Sequence, residues 1–204
     1  MRSRQVRLLH RLAGECFQWP DEPLFERLPL LGEAAGELPP APRAAVLDLL
    51  AALADRGPVA AGQHYVELFD TKPGRCLHLT WYTDGDTRRR GGSLAGLKQT
   101  FRQHGFALAE SELPDFLPVL LEFAALAEKP GQGLLGEFRP ALVRLHEALS
   151  TEDAAYGGLL NAVLLTIPVP RKGVRAAQPT PLVEQVGVAP VLLGYPTTRP
   201  GVLR

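Results

Sequence analysis

Residues 116–127 read Phe-Leu-Pro-Val-Leu-Leu-Glu-Phe-Ala-Ala-Leu-Ala, and a helix built from them is apolar almost all round. Phe116, Leu117, Leu120, Leu121, Phe123 and Leu126 surround the axis on most sides instead of forming one stripe. Such a helix is buried among others. The stretch is too short to span a bilayer, which takes about 20 residues, and it carries Glu122. It predicts the central member of an all-α helical bundle, and no insertion into a membrane.

The flanking sequence supplies the surrounding helices. Leu9, Leu12, Cys16 and Trp19 recur at intervals of three and four on a segment closed by Pro20. Val46, Leu49, Leu50 and Leu53 give the i, i+3, i+4, i+7 spacing of one buried face, between the prolines at 39, 40 and 42 and Gly57-Pro58. Gly62, Tyr65, Val66 and Phe69 continue the theme. Leu135, Phe138, Leu142, Leu145 and Leu149 form a further stripe, and Pro140 within it predicts a kink or a restart at Arg139. Tyr156, Leu160, Val163, Leu164 and Ile167 form the last, closed by Pro168. Only residues 76–82 alternate as a strand does, and with no second such stretch they predict an extended connector or a helix tail. Seven prolines from Pro168 to Pro200 predict an extended Pro-rich tail, with one helical turn near Leu182 to Val186. The expected division is a helical domain over 1–168 and a tail over 169–204.

Composition narrows the function classes. The 204 residues carry 22 basic and 22 acidic side chains, so no global field draws in nucleic acid. Recognition by charge has to be local. The N-terminal Met1-Arg-Ser-Arg has the charge of a signal peptide, but His10, Arg11 and Glu15 interrupt what would be its apolar core, which predicts a cytoplasmic protein. Cys16 and Cys76 have no metal-like spacing and read as two reduced thiols. The five histidines show no His-x-x-x-His pair, and the serines sit in no nucleophile elbow. No catalytic residue, metal site or cofactor is expected.

Two stretches can carry recognition. In Thr83-Asp-Gly-Asp-Thr-Arg-Arg-Arg-Gly-Gly, Asp84 or Asp86 suits a helix N-cap, and Arg88, Arg89 and Arg90 follow. Those arginines can contact phosphates, the Gly-rich turn can cradle a nucleotide, or the arginines can pair with carboxylates of the protein itself. The Gly-x-x-x-x-Gly-Lys-Ser/Thr order of a phosphate loop is absent. The second stretch holds Glu110, Glu112, Pro114, Asp115 and Phe116, with Glu122 and Phe123 beyond it. Asp115 can cap the central helix. The carboxylates beside two phenylalanines also suit a basic, amphipathic peptide, held by apolar contact and charge-assisted hydrogen bonds. Tyr65, Phe69, Tyr82, Arg88, Arg89 and Arg90 join that expected peptide site, in a groove between the helix after Arg88 and the Phe116 helix.

Tyr65-Val-Glu-Leu-Phe-Asp, Leu77-His-Leu-Thr-Trp-Tyr-Thr-Asp-Gly-Asp-Thr-Arg-Arg-Arg-Gly, Leu97-Lys-Gln, Gly105-Phe and Glu112-Leu-Pro-Asp-Phe-Leu-Pro-Val-Leu-Leu-Glu-Phe together resemble the NarJ-type nitrate reductase molybdenum cofactor assembly chaperones, or delta subunits. The resemblance implies an all-helical chaperone, not an enzyme. It implies binding to the N-terminal segment of the nitrate reductase catalytic alpha subunit, a remnant of a twin-arginine signal. The client is then kept competent for molybdenum cofactor and iron–sulfur insertion before it docks on the membrane subunit, and the chaperone leaves the finished enzyme. Molybdenum cofactor biosynthesis proteins are further implied partners, and the alternative reading is a guanine-nucleotide- or molybdopterin-cofactor-binding factor that uses Arg88, Arg89 and Arg90. In related chaperones a Glu-x-x-x-Asp-His-type motif marks the peptide-binding region. Glu112, Pro114, Asp115 and Glu122 stand at the matching positions, but Phe116 replaces the histidine, so no role of that histidine carries over.

Overall fold

A computed structural model describes residues 1–85, 87–109, 112–169 and 191–193. Its helices are α1 (Ser3–Cys16), α2 (Glu22–Ala35), α3 (Pro40–Tyr65), the short α4 (Trp81–Asp84), α5 (Arg88–Gln103), α6 (Leu117–Leu126), α7 (Glu128–Glu137), α8 (Arg139–Glu152) and α9 (Ala154–Leu164). Two three-residue strands, β1 (Phe106–Leu108) and β2 (Val191–Leu193), pair in parallel. The class is all-α, as the sequence predicts. The helical turn expected near 182–186 and most of the expected tail lie outside the described residues.

α6 is the axis of the bundle. Leu117 through Ala125 are all buried, and only Leu126 is largely exposed. Pro118 lies in the first turn, where its missing N–H costs nothing. Each fully buried Leu or Phe contributes about 1.5–3 kcal/mol by leaving water. α1 packs along one side of α6 and α7 along another, while α8 packs on α9 and α9 on α3. Pro140 falls in the first turn of α8, so the helix restarts at Arg139.

Several boundaries differ from the sequence expectation. α1 ends at Cys16, and Trp19 lies beyond it, half exposed and edge-on to Tyr65 at 5.4 Å. α2 has no counterpart among the predicted stripes. Asp21 starts it by accepting the Leu24 amide at 3.0 Å, with Pro23 in the first turn. α3 is broken at Gly57, whose φ of 72° and ψ of 166° only glycine adopts without strain. A π-helical turn, Val66–Asp70, then brings Phe69 inward. Residues 76–82 are anchored after all, since His78 forms an antiparallel bridge with Phe116.

Two glycines set the closest helix approaches. A Cβ on Gly131 of α7 would stand 2.3 Å from the Ala124 Cα of α6, and one on Gly157 of α9 would stand 2.9 Å from the Ser150 Cα of α8. Cys16 is fully buried and its thiol is pushed up to about 12, first by burial and then by Glu15. Cys76 is half-buried, its thiol also raised by burial.

His10 of α1 is a buried polar group on this apolar seam. Thr166 gives its hydroxyl hydrogen to the Val163 carbonyl at 2.7 Å, so its oxygen accepts from His10 Nε2 at 2.8 Å. Nδ1 is then the unprotonated nitrogen, and it meets no partner among the described residues. Burial lowers the pKa of His10 to about 4.

Gly131→Ala is expected to destabilise the fold by about 1–3 kcal/mol in urea denaturation, because backbone opposes the new methyl. Gly133→Ala, with open space around it, should instead stabilise by roughly 0.5–1 kcal/mol. His10 is neutral when folded and charged when unfolded between its two pKa values. Stability should therefore fall as pH drops from about 6.5 toward 4, by about 2 kcal/mol between pH 7 and pH 5. Urea midpoints of the natural chain and His10→Gln over that range check this; the variant should show the smaller loss.

Candidate functional site

The segment from Cys76 to Tyr82 is stitched to the entry of α6. The Leu79 amide donates to the Asp115 carbonyl and the Leu117 amide to the Leu77 carbonyl, both at 2.9 Å. The His78 and Phe116 rings stack with centroids 5.2 Å apart and planes 30° from parallel. At the centre of this seam lies Asp115, with no exposed surface. One carboxylate oxygen accepts from His78 Nδ1 at 3.0 Å. The other accepts from the Thr80 hydroxyl and from Arg90 Nη2 at 3.4 Å. Arg90 Nε also donates to the Thr80 oxygen at 3.1 Å, so one guanidinium ties α5 to the seam.

Burial alone would raise the Asp115 pKa. The hydrogen bonds from His78 and Thr80, with the charges of His78 and Arg90, outweigh it and hold the carboxyl below its ordinary range. The group therefore stabilises the fold above the ordinary aspartate pKa, and the contribution is lost as pH falls through the depressed folded value.

This geometry corrects the expected caps. Phe116, not Asp115, occupies the N-cap position of α6. Thr87, with no side-chain cap bond, precedes α5, and Asp84 ends α4. Asp86 and Glu110 lie outside the described residues.

It also redistributes the expected peptide site. The space between α5 and α6 is filled: Phe101 packs on Phe123 at 4.8 Å, and Phe106 meets the same ring at 5.3 Å. Phe123 is fully buried. Tyr65 and Phe69 belong to an aromatic core with Phe17 and Tyr156, and the Tyr65 hydroxyl donates to the Phe17 carbonyl at 3.0 Å. Glu122 pairs with Arg11 of α1, and Arg11 also meets Glu15 at 3.0 Å. Pro114 is buried. These residues hold the surface from beneath. Tyr82, Glu112 and Phe116 are half-buried, and Arg88 and Arg89 are exposed. The Glu112 carboxyl is raised mainly by burial. Arg90 is the internal strut of the three arginines, which removes it from a phosphate-binding trio.

An open groove of about 690 Å³ runs one helix over, between α5 and α7 with α4 at its end. Leu97 and Leu134 give it apolar walls, and Gly96 and Gly133 keep those walls low. Thr80 reaches it from the Asp115 seam. Asp84 and Glu137 supply its carboxylates. One Asp84 oxygen is enclosed with no partner among the described residues, and burial raises the Glu137 carboxyl. Among the described residues His104 is the one basic side chain on its wall.

Sequence reading missed His78, Thr80 and this groove. The signal for the first two was present, since positions 78 and 80 share one face of the alternating stretch. Among the described residues no cluster of His, Cys, Asp or Glu has the arrangement of a metal site, and no helix is long and apolar enough to cross a membrane.

Asp115→Ala is expected to cost about 3 kcal/mol in urea denaturation, because it strands Arg90 and leaves Thr80 and His78 without their acceptor. A cost below about 1 kcal/mol would show that the seam does not depend on this carboxylate.

The family model described as nitrate reductase delta subunit matches residues 35–159. The nitrate reductase molybdenum cofactor assembly chaperone NarJ of Escherichia coli K12 is 29% identical over 157 residues, covering 75% of this chain and 66% of that protein. The protein of Bacillus subtilis 168 named probable nitrate reductase molybdenum cofactor assembly chaperone NarJ is 36% identical over 115 residues, covering 56% of this chain and 62% of its own length. The nitrate reductase-like protein NarX of Mycobacterium tuberculosis H37Rv is 39% identical over 110 residues, which are 53% of this chain but 17% of that protein. The match thus spans less than two thirds of each relative's own length. With 125 of its residues inside the family model, the chain belongs to the nitrate reductase delta subunit family.

Proposed function

We propose that this protein is an assembly chaperone for nitrate reductase. It binds the N-terminal segment of the apo catalytic alpha subunit and keeps that subunit competent for molybdenum cofactor and iron–sulfur insertion before membrane docking. It works in the cytoplasm, alongside molybdenum cofactor biosynthesis proteins, and is not part of the mature enzyme. The relatives named as molybdenum cofactor assembly chaperones support the assignment.

The observation that carries the binding reading is the α5–α7 groove. It is open, apolar along its walls, and bears two carboxylates against one imidazole. A basic, amphipathic segment fits both properties. An ammonium or guanidinium group reaching the enclosed Asp84 oxygen would supply the partner that this oxygen lacks. Tyr82, Glu112 and Phe116 join it as half-buried side chains of the neighbouring Asp115 seam, and the exposed Arg88 and Arg89 begin α5, the helix that forms one wall. A binder that engages only the immature client shifts the equilibrium by mass action, about 2.7 kcal/mol at a hundredfold excess over Kd, and needs no reactive group.

Calorimetric titration of the folded protein with the N-terminal peptide of its cognate alpha subunit should give saturable binding. Asp84→Asn should weaken it by about tenfold, the worth of one charge-assisted hydrogen bond. No heat of binding at high micromolar peptide, with the protein folded, would defeat the proposal.

A further inference from the structure

β1 follows α5 through the Gly105 turn, and one of its edges is taken up by a segment from far along the same chain. Phe106, Ala107 and Leu108 pair in register with Val191, Leu192 and Leu193, and the Ala109 amide donates to the Leu193 carbonyl at 2.9 Å. The Leu193 side chain is fully enclosed in the main core. The ladder is nonetheless only three residues long, and residues 170–190 stand between it and the end of the helical bundle.

Addition of a strand to a sheet edge is a general mode of peptide recognition. Main-chain hydrogen bonds give the affinity, and pockets for alternate side chains give the specificity. Apart from the chain's own 191–193, β1 offers those parts: a pairing edge and a leucine-sized hole. Beside them lies a cavity of about 270 Å³ lined by Lys98, Arg102 and Ala107 to Ala109. An occupant on the same chain competes at an effective concentration of about millimolar, so a short ladder is held by its tether and yields to a better-fitting free segment.

We propose that the edge of β1 is a strand-addition site for an extended apolar segment of a partner polypeptide, and that Val191–Leu193 closes it when the partner is absent. The partner segment carries a leucine-like side chain for the Leu193 hole and a main chain free to pair with Phe106 to Leu108. Naming the immature nitrate reductase subunit as that partner rests on the preceding proposal; the strand-addition site itself does not.

The test uses the full-length chain and full-length Leu193→Asp, with a fluorescein-labelled peptide of residues 187–196 as probe. An aspartate has no partner in the Leu193 hole, so the tail should leave it. The variant should bind the probe at least about tenfold more tightly than the natural chain. A probe carrying Leu193→Asp should bind neither. Equal affinity of the two chains for the unaltered probe overturns the proposal.

Should the variant fail to fold, hydrogen exchange on the natural chain decides. Amides 106–109 should exchange together, well before those of α6. Exchange only with α6 makes β2 an integral strand and overturns the proposal. A natural chain that sediments as a dimer with exchanged tails overturns it too. Adding the alpha-subunit N-terminal peptide should displace the probe from Leu193→Asp. Binding of that peptide without displacement removes this partner from the β1 edge while the assembly reading stands. Absence of any binding by that peptide sinks the assembly reading, and the partner named here with it.

Discussion

The candidate functional face of this protein depends on one buried carboxylate. Asp115 sits where three separate segments meet: the seam of residues 76–82, the start of α6 and the first turn of α5. Without hydrogen-bond partners, a charge so placed would be expelled or protonated. With His78, Thr80 and Arg90 around it, the charge orders the segments that surround it. The wall of the α5–α7 groove and the position of Thr80 on its floor follow from that arrangement. An interaction that adds little net stability over an apolar substitute can still set geometry, and this one fixes how α5 leaves the bundle.

The same logic separates the residues that hold the site from those that can touch a ligand. Tyr65, Phe69 and Phe123 are large, apolar and close in sequence to the recognition stretches, yet the bundle uses them as core. Glu122 is acidic and near the site in sequence, yet it faces α1 and Arg11. The open surface falls instead to a wall built partly from glycines and threonines, where among the described residues no large side chain fills the space between helices. A groove is made by what is missing from a packed interface. Sequence patterns of large apolar residues therefore point away from it.

What the sequence made legible follows from this. The all-round apolarity of 116–127 placed α6 at the centre, and Pro140 marked the restart of α8, because hydrophobic period and proline sterics act locally. α2 was not seen, since Pro29 and its mixed face blur the helical period. The β1–β2 pair was not seen either, because three residues give too few alternations and the partner strand comes from a stretch that reads as tail. Among the candidate site residues, burial could not be read from residue type: Arg88, Arg89 and Arg90 are identical in chemistry and adjacent in sequence, but among the described residues only the third turns inward to a carboxylate. That choice belongs to the tertiary fold.

The two cysteines, so different in setting, give the molecule a pair of internal clocks. Cys16 lies at the end of α1, fully buried and with its thiol pushed up by burial, so an alkylating reagent reaches it only when the core opens around that helix. Cys76 lies on the seam that Asp115 fastens, half open to water, so a reagent meets it while the bundle is still closed. Attack on the folded surface and opening of the core are thereby written into two separate rates in one unlabelled chain.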